Sequence, residues 1–155
     1  MKKINYWLVK SEPSDYSFYD LLKEPEQTAE WDGVRNYQAR NILQNEMKIN
    51  DQVLYYHSNS KPSQIVGTAI VVKEGYPDFT SWDPKSKHFD PKSTPQNPKW
   101  FMVDIKADKI FKTPITLQEV KNNKKLSNMV LVKNSRLSVQ PVTEIEWSII
   151  LDMSK

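Results

Sequence analysis

Aromatic and aliphatic residues run from Tyr6 to Val9 and give way to Lys10-Ser11-Glu12-Pro13. Proline cannot donate to a central ladder, so the pattern predicts a strand that stops there and delivers Ser11 and Glu12 to a rim. Ser17-Phe18-Tyr19-Asp20 has the form of a capping box ahead of Leu21 and Leu22, which predicts a short helix ending by Glu24-Pro25. Trp31-Asp32-Gly33 is a turn signal. After it Asn36, Ala39, Ile42 and Leu43 fall at helical spacing and predict a helix over about residues 35–46, with Asn36 and Arg40 on one face. Residues 52–57 and 64–73 are rich in Val, Ile and Tyr and read as two strands, and Gly67 inside the second marks a bend or a close backbone approach.

Five of the ten prolines fall between Tyr76 and Lys99, among too many aromatics for a plain linker, so this stretch reads as a long ordered loop with a function. Residues 100–105 alternate again, with room for the strand to continue to Phe111. Thr116-Leu117-Gln118-Glu119 and Thr143-Glu144-Ile145-Glu146 are further capping boxes that predict two more helices, and residues 137–142 between them read as a strand. Short helices and irregular loops join the strands without regular βαβ alternation and without an internal repeat. The expected fold class is α+β, a single domain over residues 1–155 built on a small, curved, mostly antiparallel sheet or barrel.

The 155 residues are 38% hydrophobic, 26% charged and 11% aromatic, the balance of a chain that buries a core rather than of a disordered tail. No stretch approaches the roughly 20 apolar residues of a membrane-spanning helix. Met1-Lys2-Lys3 leads into the first strand without a signal-peptide core, so the cytosol is the expected compartment, with a nucleus as the alternative in a eukaryote. The absence of cysteine excludes disulfides, thiol nucleophiles and cysteine-based zinc sites, and no cofactor is expected. A monomer is expected.

Net charge is only +3, but eight basic residues between Lys106 and Arg136 face two acidic ones, Asp108 and Glu119, which leaves the rest of the chain net acidic. Such a run is either a solvated lysine face or a shore for a phosphate backbone.

With three glycines and none of the phosphate-loop, dinucleotide, nucleophile-elbow or zinc-protease motifs, the common nucleotide enzymes are not in view. What remains is a set of polar and aromatic residues at strand ends and turns. A flat heterocycle needs an aromatic face and a few fixed donors and acceptors along its edge. Trp31 can supply the face, Ser11, Glu12 and Asn59 the edge, and Arg35 and Arg40 a grip on phosphate, with Arg136 in the basic segment as a further contact. Each has a structural reading as well: Trp31 as core, Glu12 as a cap or an ion-pair partner for Arg35, His57 as a strand-end residue, His88 as a solvated loop residue. Trp7, Trp100 and Trp147 are assigned to the core or its edge. Two other functions compete, a hydrolase or nuclease using Glu12 or Asp32 with His57, and a module for free nucleosides or proteins.

Tyr6 to Pro13, Trp31 to Asn41 and Tyr55 to Asn59 together resemble the EVE-domain family, and the likeness continues in order through Ile65-Val66-Gly67, Tyr76-Pro77-Asp78, Phe89 to Ser93, Met102-Val103-Asp104 and Arg136 to Val142. The resemblance implies a PUA-like fold, a small β-barrel flanked by short helices. It also implies a pocket for a modified base, methylated or hydroxymethylated cytosine in DNA or a modified base in RNA, bound without catalysis. Carried over residue by residue, it implies Ser11, Glu12, Trp31, Arg35, Asn36, Arg40, His57, Ser58 and Asn59 as pocket or rim, with Tyr76 and Pro77 in a loop that closes over it.

Overall fold

Alternation along the first strand decides how the sheet is used. In the computed structural model, which describes residues 3–134 and 136–155, β1 (Tyr6–Ser11) sends Trp7 and Val9 into one core and Leu8 into another. Its neighbour β3 (Gln52–His57) does the same with Val53 and Tyr55 against Leu54 and Tyr56. Both faces of the sheet are therefore covered. The Met1-Lys2 lead lies outside the described residues.

Among the described residues six strands form one mixed sheet in the order β2-β5-β4-β3-β1-β6, adding β2 (Thr28–Glu30), β4 (Gln64–Pro77), β5 (Phe101–Thr116) and β6 (Val139–Val142). Among the described residues every pairing is antiparallel except β1 with β3, which run parallel with Ser11 opposite His57. Two strands that end side by side in the same direction leave both chains turning away at one point of the sheet edge. The pairings do not close back from β6 to β2, so the barrel is an open, curled sheet.

The curl comes from β4 and β5, whose mutual register shifts four times. Along β5 the buried side chains pass from the first core (Val103, Ile105, Ala107) to the second (Phe111, Ile115). Gly67 sits at one of these shifts. A Cβ there would stand 2.5 Å from the Lys109 carbonyl oxygen and 2.7 Å from the Phe18 ring, the close approach its position in a strand implied.

Helices α1 (Phe18–Leu22) and α2 (Tyr37–Asn45) cover the first core, and α3 (Leu117–Asn122), α4 (Val130–Lys133) and α5 (Glu144–Met153) the second. The capping boxes at Ser17/Asp20, Thr116/Glu119 and Thr143/Glu146 are all formed, which fixes three helix starts. A buried carboxylate, Asp51, ties the start of β1 to the turn before β3 by accepting from the Trp7 indole (2.8 Å) and from the amides of Asn5 (3.1 Å) and Lys48 (2.9 Å).

The strands β4 and β5 reach further than their sequence pattern predicts, and the proline-rich segment begins and ends in the sheet as Pro77 pairs with Phe101. Between them residues 78–100 form an ordered loop. It is held by Asp78 N–H to the Trp100 carbonyl (2.9 Å), Asp90 N–H to the Ser81 carbonyl (2.7 Å) and the Trp100 indole to Asp90 (2.7 Å).

Candidate nucleic-acid interface

Where β1 and β3 end together, the chain leaves a cleft of about 960 Å³. Ser58 N–H still reaches the Ser11 carbonyl (3.0 Å), and just beyond, Asn59 Nδ2 donates to Glu12 Oε1 (3.2 Å), making a polar rim across the two strand ends. Asn59 holds a φ of 49°, a left-handed conformation that asparagine tolerates better than most side chains. Behind the rim stand Tyr16 and Trp31, edge to face with ring centroids 6.5 Å apart. The Tyr16 carbonyl accepts from Ser11 Oγ (2.7 Å) and Tyr55 Oη (2.9 Å), so Ser11 works by fixing the tyrosine beside the cleft.

The opposite wall comes from the long loop. Lys87 pairs with Asp15 from the other side of the cleft, and His88 lays its ring over Gly33. Gly33 has a φ of 81°, and a Cβ there would lie 2.6 Å from the imidazole, so glycine answers both the backbone conformation and the packing. Arg35 clamps the loop, donating to the His88 carbonyl from Nε (3.2 Å) and Nη2 (2.7 Å) and to Asp78 from Nη1 (3.0 Å). Asp78 is fully buried and also accepts from Gly33 N–H (2.9 Å) and Thr80 N–H (2.9 Å). Burial pushes its carboxyl up, but the hydrogen bonds from Thr80, Gly33 and Arg35 and the guanidinium charge outweigh that, and the net effect holds it below its ordinary value.

The Trp31 side of the cleft is rich in acceptors. Glu24, Glu30, Asp32 and Asp104 all line it. Burial raises the carboxyl of Asp32, with Asp78 adding to the rise and His88 and Arg35 opposing it. Burial likewise raises Glu30, reinforced by Asp104, Asp32 and Asp78. Tyr76 donates its hydroxyl to Asp104 (2.5 Å). This lobe offers hydrogen-bond acceptors beside an aromatic corner, a surface that favours a ligand edge carrying N–H groups and disfavours a phosphate.

Of the residues singled out in the sequence, Ser11, Glu12, Trp31, Arg35, Ser58 and Asn59 meet at the cleft. Trp31 is 7% exposed and also packs edge to face on Tyr55 (5.3 Å), so it is a wall of the cleft more than an open platform. Four others are placed elsewhere. Asn36 caps α2, accepting from Ala39 N–H. Buried His57 accepts the Phe18 N–H at Nε2 (3.0 Å), a bond that requires the neutral ring, and burial lowers its pKa. Tyr76 reaches the cleft only through Asp104, and Pro77 lies in the sheet. The covering loop is instead that of Lys87 and His88.

Two of the three arginines assigned to phosphate are engaged within the chain. Arg35 is bound as described, and Arg40 donates to the Lys99 carbonyl (2.9 Å) and Asn41 (3.0 Å) while lying over the Tyr37 ring. Arg136 is exposed and does not line the cleft. Missed by the sequence pattern were Tyr16, Glu24, Glu30, Asp104 and the Lys87-His88 pair, while Asp32 was read only as an acid or base of the competing hydrolase. The turn glycine and the aromatic, proline-rich loop were the available signals for the last two. Trp7, Trp100 and Trp147 are buried, as expected.

Among known proteins, the EVE-domain family profile matches residues 5–153. Mouse thymocyte nuclear protein 1 is 44% identical over 97% of this chain and 74% of its own length. A hypothetical protein from Leishmania major superposes with a TM-score of 0.93 at 47% identity, covering 98% of this chain and 95% of that one. Human thymocyte nuclear protein 1, crystallised in complex with DNA containing 5-methylcytosine, superposes with a TM-score of 0.93 at 41% identity over 97% of this chain and 98% of that one. A bacterial ASCH protein from Zymomonas mobilis shares the fold alone, at a TM-score of 0.57 and 10% identity. With the profile spanning the curled sheet and both helical layers, the chain belongs to the EVE-domain family and has its PUA-like fold.

Proposed function

We propose that this chain is a non-catalytic reader of modified cytosine in DNA, taking the base out of the stack into the lobe between Tyr16, Trp31 and His88. The observation that carries the reading is that lobe's pairing of an aromatic corner with carboxylate acceptors. Cytosine presents an exocyclic N4 amino donor, and Asp or Glu is its natural acceptor, whereas thymine presents O4 there and meets the same carboxylates as repulsion. The methyl at C5 packs against the aromatic wall. The likeness to human thymocyte nuclear protein 1, bound to DNA with 5-methylcytosine, supports the same ligand class for this chain.

Burying one methyl is worth only about 1 kcal/mol, so discrimination between cytosine and 5-methylcytosine is about fivefold on that contact alone. Base–aromatic contact of roughly 1–3 kcal/mol and the N4 hydrogen bond hold the base itself. The test is fluorescence anisotropy with matched DNA and RNA oligonucleotides carrying cytosine, 5-methylcytosine or 5-hydroxymethylcytosine across a salt series, with oligonucleotide integrity checked on a gel. Salt-sensitive binding that prefers the modified DNA and loses its preference in Trp31→Ala is expected. Equal affinity for all bases, undisturbed by Trp31→Ala, or cleavage of the strand, refutes the reading.

A further inference from the structure

A base seated between Tyr16, Trp31 and His88 leaves its sugar and phosphate at the entrance of the lobe, and the chain sets a charge on either side of that entrance. Asp15 precedes Tyr16, and Lys87 precedes His88. Both line the cleft, and they pair with each other across it from positions 72 residues apart. Their backbones are fixed. Asp15 N–H and Tyr16 N–H both donate to the Glu12 carbonyl (2.9 Å each), while His88 N–H donates to Ser86 Oγ (3.0 Å) and Arg35 clamps the His88 carbonyl. The two side chains are open to solvent, 65% exposed for Lys87 and 51% for Asp15.

A phosphate arriving here needs a cation, because Glu12, Glu24, Glu30, Asp32 and Asp104 line the same cleft as Asp15. Among the described residues the lysine and arginine side chains that line it are Lys10, Arg35 and Lys87, and they differ in how firmly they are held. Arg35 donates to the His88 and Val34 carbonyls and to buried Asp78, so moving it dismantles the anchor of the loop. Lys10 is half-buried, lies over the Tyr56 ring and is engaged within the chain. Lys87 is held by an exposed carboxylate. An ion pair that open is worth a factor of about five at most, whereas an ammonium–phosphate hydrogen bond is about twice as strong as a neutral one.

We infer that Lys87 is the phosphate contact of the read nucleotide, exchanging Asp15 for a phosphate oxygen as the base enters, and that Asp15 holds the ammonium at the entrance until then. The inference rests on the base-reading function of the lobe. The exchange makes Asp15 a competitor of the ligand, since it occupies the same ammonium and its own charge repels the arriving phosphate. A neutral heterocycle cannot displace Asp15 in this way, so a nucleotide within a strand is favoured over a free nucleoside. The contact positions the strand and carries no sequence information of its own.

Fluorescence anisotropy tests this in the full chain, with oligonucleotides that carry a single 5-methylcytosine and have its 5′ or its 3′ phosphate replaced by an uncharged methylphosphonate. One of the two replacements, and not the other, weakens binding to the wild type roughly tenfold, the equivalent of one charge-assisted hydrogen bond. In Lys87→Met, which keeps the alkyl stem, the same replacement weakens binding by about twofold or less. Asp15→Asn acts in the opposite direction. It tightens binding of the all-phosphate oligonucleotide by about two- to fivefold, and that gain vanishes when Lys87→Met is added. A bridge that only holds the loop in place predicts weaker binding in both single variants, and long-range charge alone predicts a gain from Asp15→Asn that survives the loss of Lys87. Either result, or a methylphosphonate effect that is the same with and without Lys87, overturns the phosphate contact, while a preference for 5-methylcytosine over cytosine leaves the base reader standing. If the wild type shows no such preference, the base-reading function fails and the phosphate contact with it.

Discussion

Replacing Asp78 with alanine removes the carboxylate that holds the 31–35 turn, the long loop and the start of residues 78–100 together. Its side chain is fully buried and accepts from Arg35 Nη1 at 3.0 Å, from the Gly33 and Thr80 amides at 2.9 Å and from Thr80 Oγ1 at 2.5 Å. Breaking a buried ion pair by deleting one partner costs about 3–5 kcal/mol, because the survivor stays desolvated. Arg35 keeps 24% of its side chain exposed and retains its bonds to the His88 and Val34 carbonyls, which places the cost at the low end, about 3 kcal/mol. In urea, at a slope of about 2 kcal/mol per molar, the midpoint drops by about 1.5 M. The pH dependence follows from the depressed carboxyl: the folded state binds the proton less readily than the unfolded one, so the contribution is present at neutral pH and fades as pH falls below the ordinary carboxylate range. Urea melts of wild type and Asp78→Ala at pH 7 and pH 3 measure both. Under conditions where the variant remains folded, it binds the modified oligonucleotide weakly, since Lys87 and His88 lose their anchor. A loss below about 1 kcal/mol at pH 7, or a difference that does not shrink in acid, refutes the role given to this carboxylate.

Gly33→Ala adds a methyl against the His88 ring at a φ of 81°, so it costs about 1–2 kcal/mol in a thermal melt and swings the imidazole from the cleft wall, weakening modified-base binding more than that loss of stability accounts for; unchanged affinity counts against His88 as a wall. His57 has a depressed pKa in the folded state, so stability is full above the ordinary histidine value and falls as acidification drives protonation; His57→Gln, which keeps a neutral acceptor for Phe18 N–H, flattens the melting temperature between pH 7 and pH 5. Asp51→Ala strands the Trp7 indole and two amides and costs about 3 kcal/mol by urea denaturation, without a preferential effect on base discrimination.

Much of this fold is written locally. Ser17, Thr116 and Thr143 announce helix starts because the cap and its acceptor lie three residues apart, and β1 and β3 announce themselves by alternation. What local pattern does not carry is pairing at long range. Thr28–Glu30 becomes β2 only because β5 offers Asp104 to Lys106 as partners, and three residues hold no period. The far halves of β4 and β5 are masked because each register shift moves the buried residues to the other face.

The cleft divides in the same way. Ser11, Glu12, Ser58 and Asn59 were legible since a strand end is visible in sequence, and the parallel pairing then puts two such ends together. Asn36 and His57 look alike in sequence, polar groups at the ends of elements, yet their atoms satisfy the Ala39 and Phe18 amides and do not face the cleft. Lys87, His88 and Asp104 lie more than fifty residues along the chain from the Trp31-Asp32-Gly33 turn they join, and no spacing rule reaches that far. The net charge of +3 also conceals what matters for binding, because Glu24, Glu30, Asp32 and Asp104 gather at the cleft while the basic residues between Lys106 and Arg136 do not line it. A weakly basic total therefore sets how loosely the chain meets DNA at a distance, while the acceptors gathered in the cleft favour the N–H edge of a base over a phosphate.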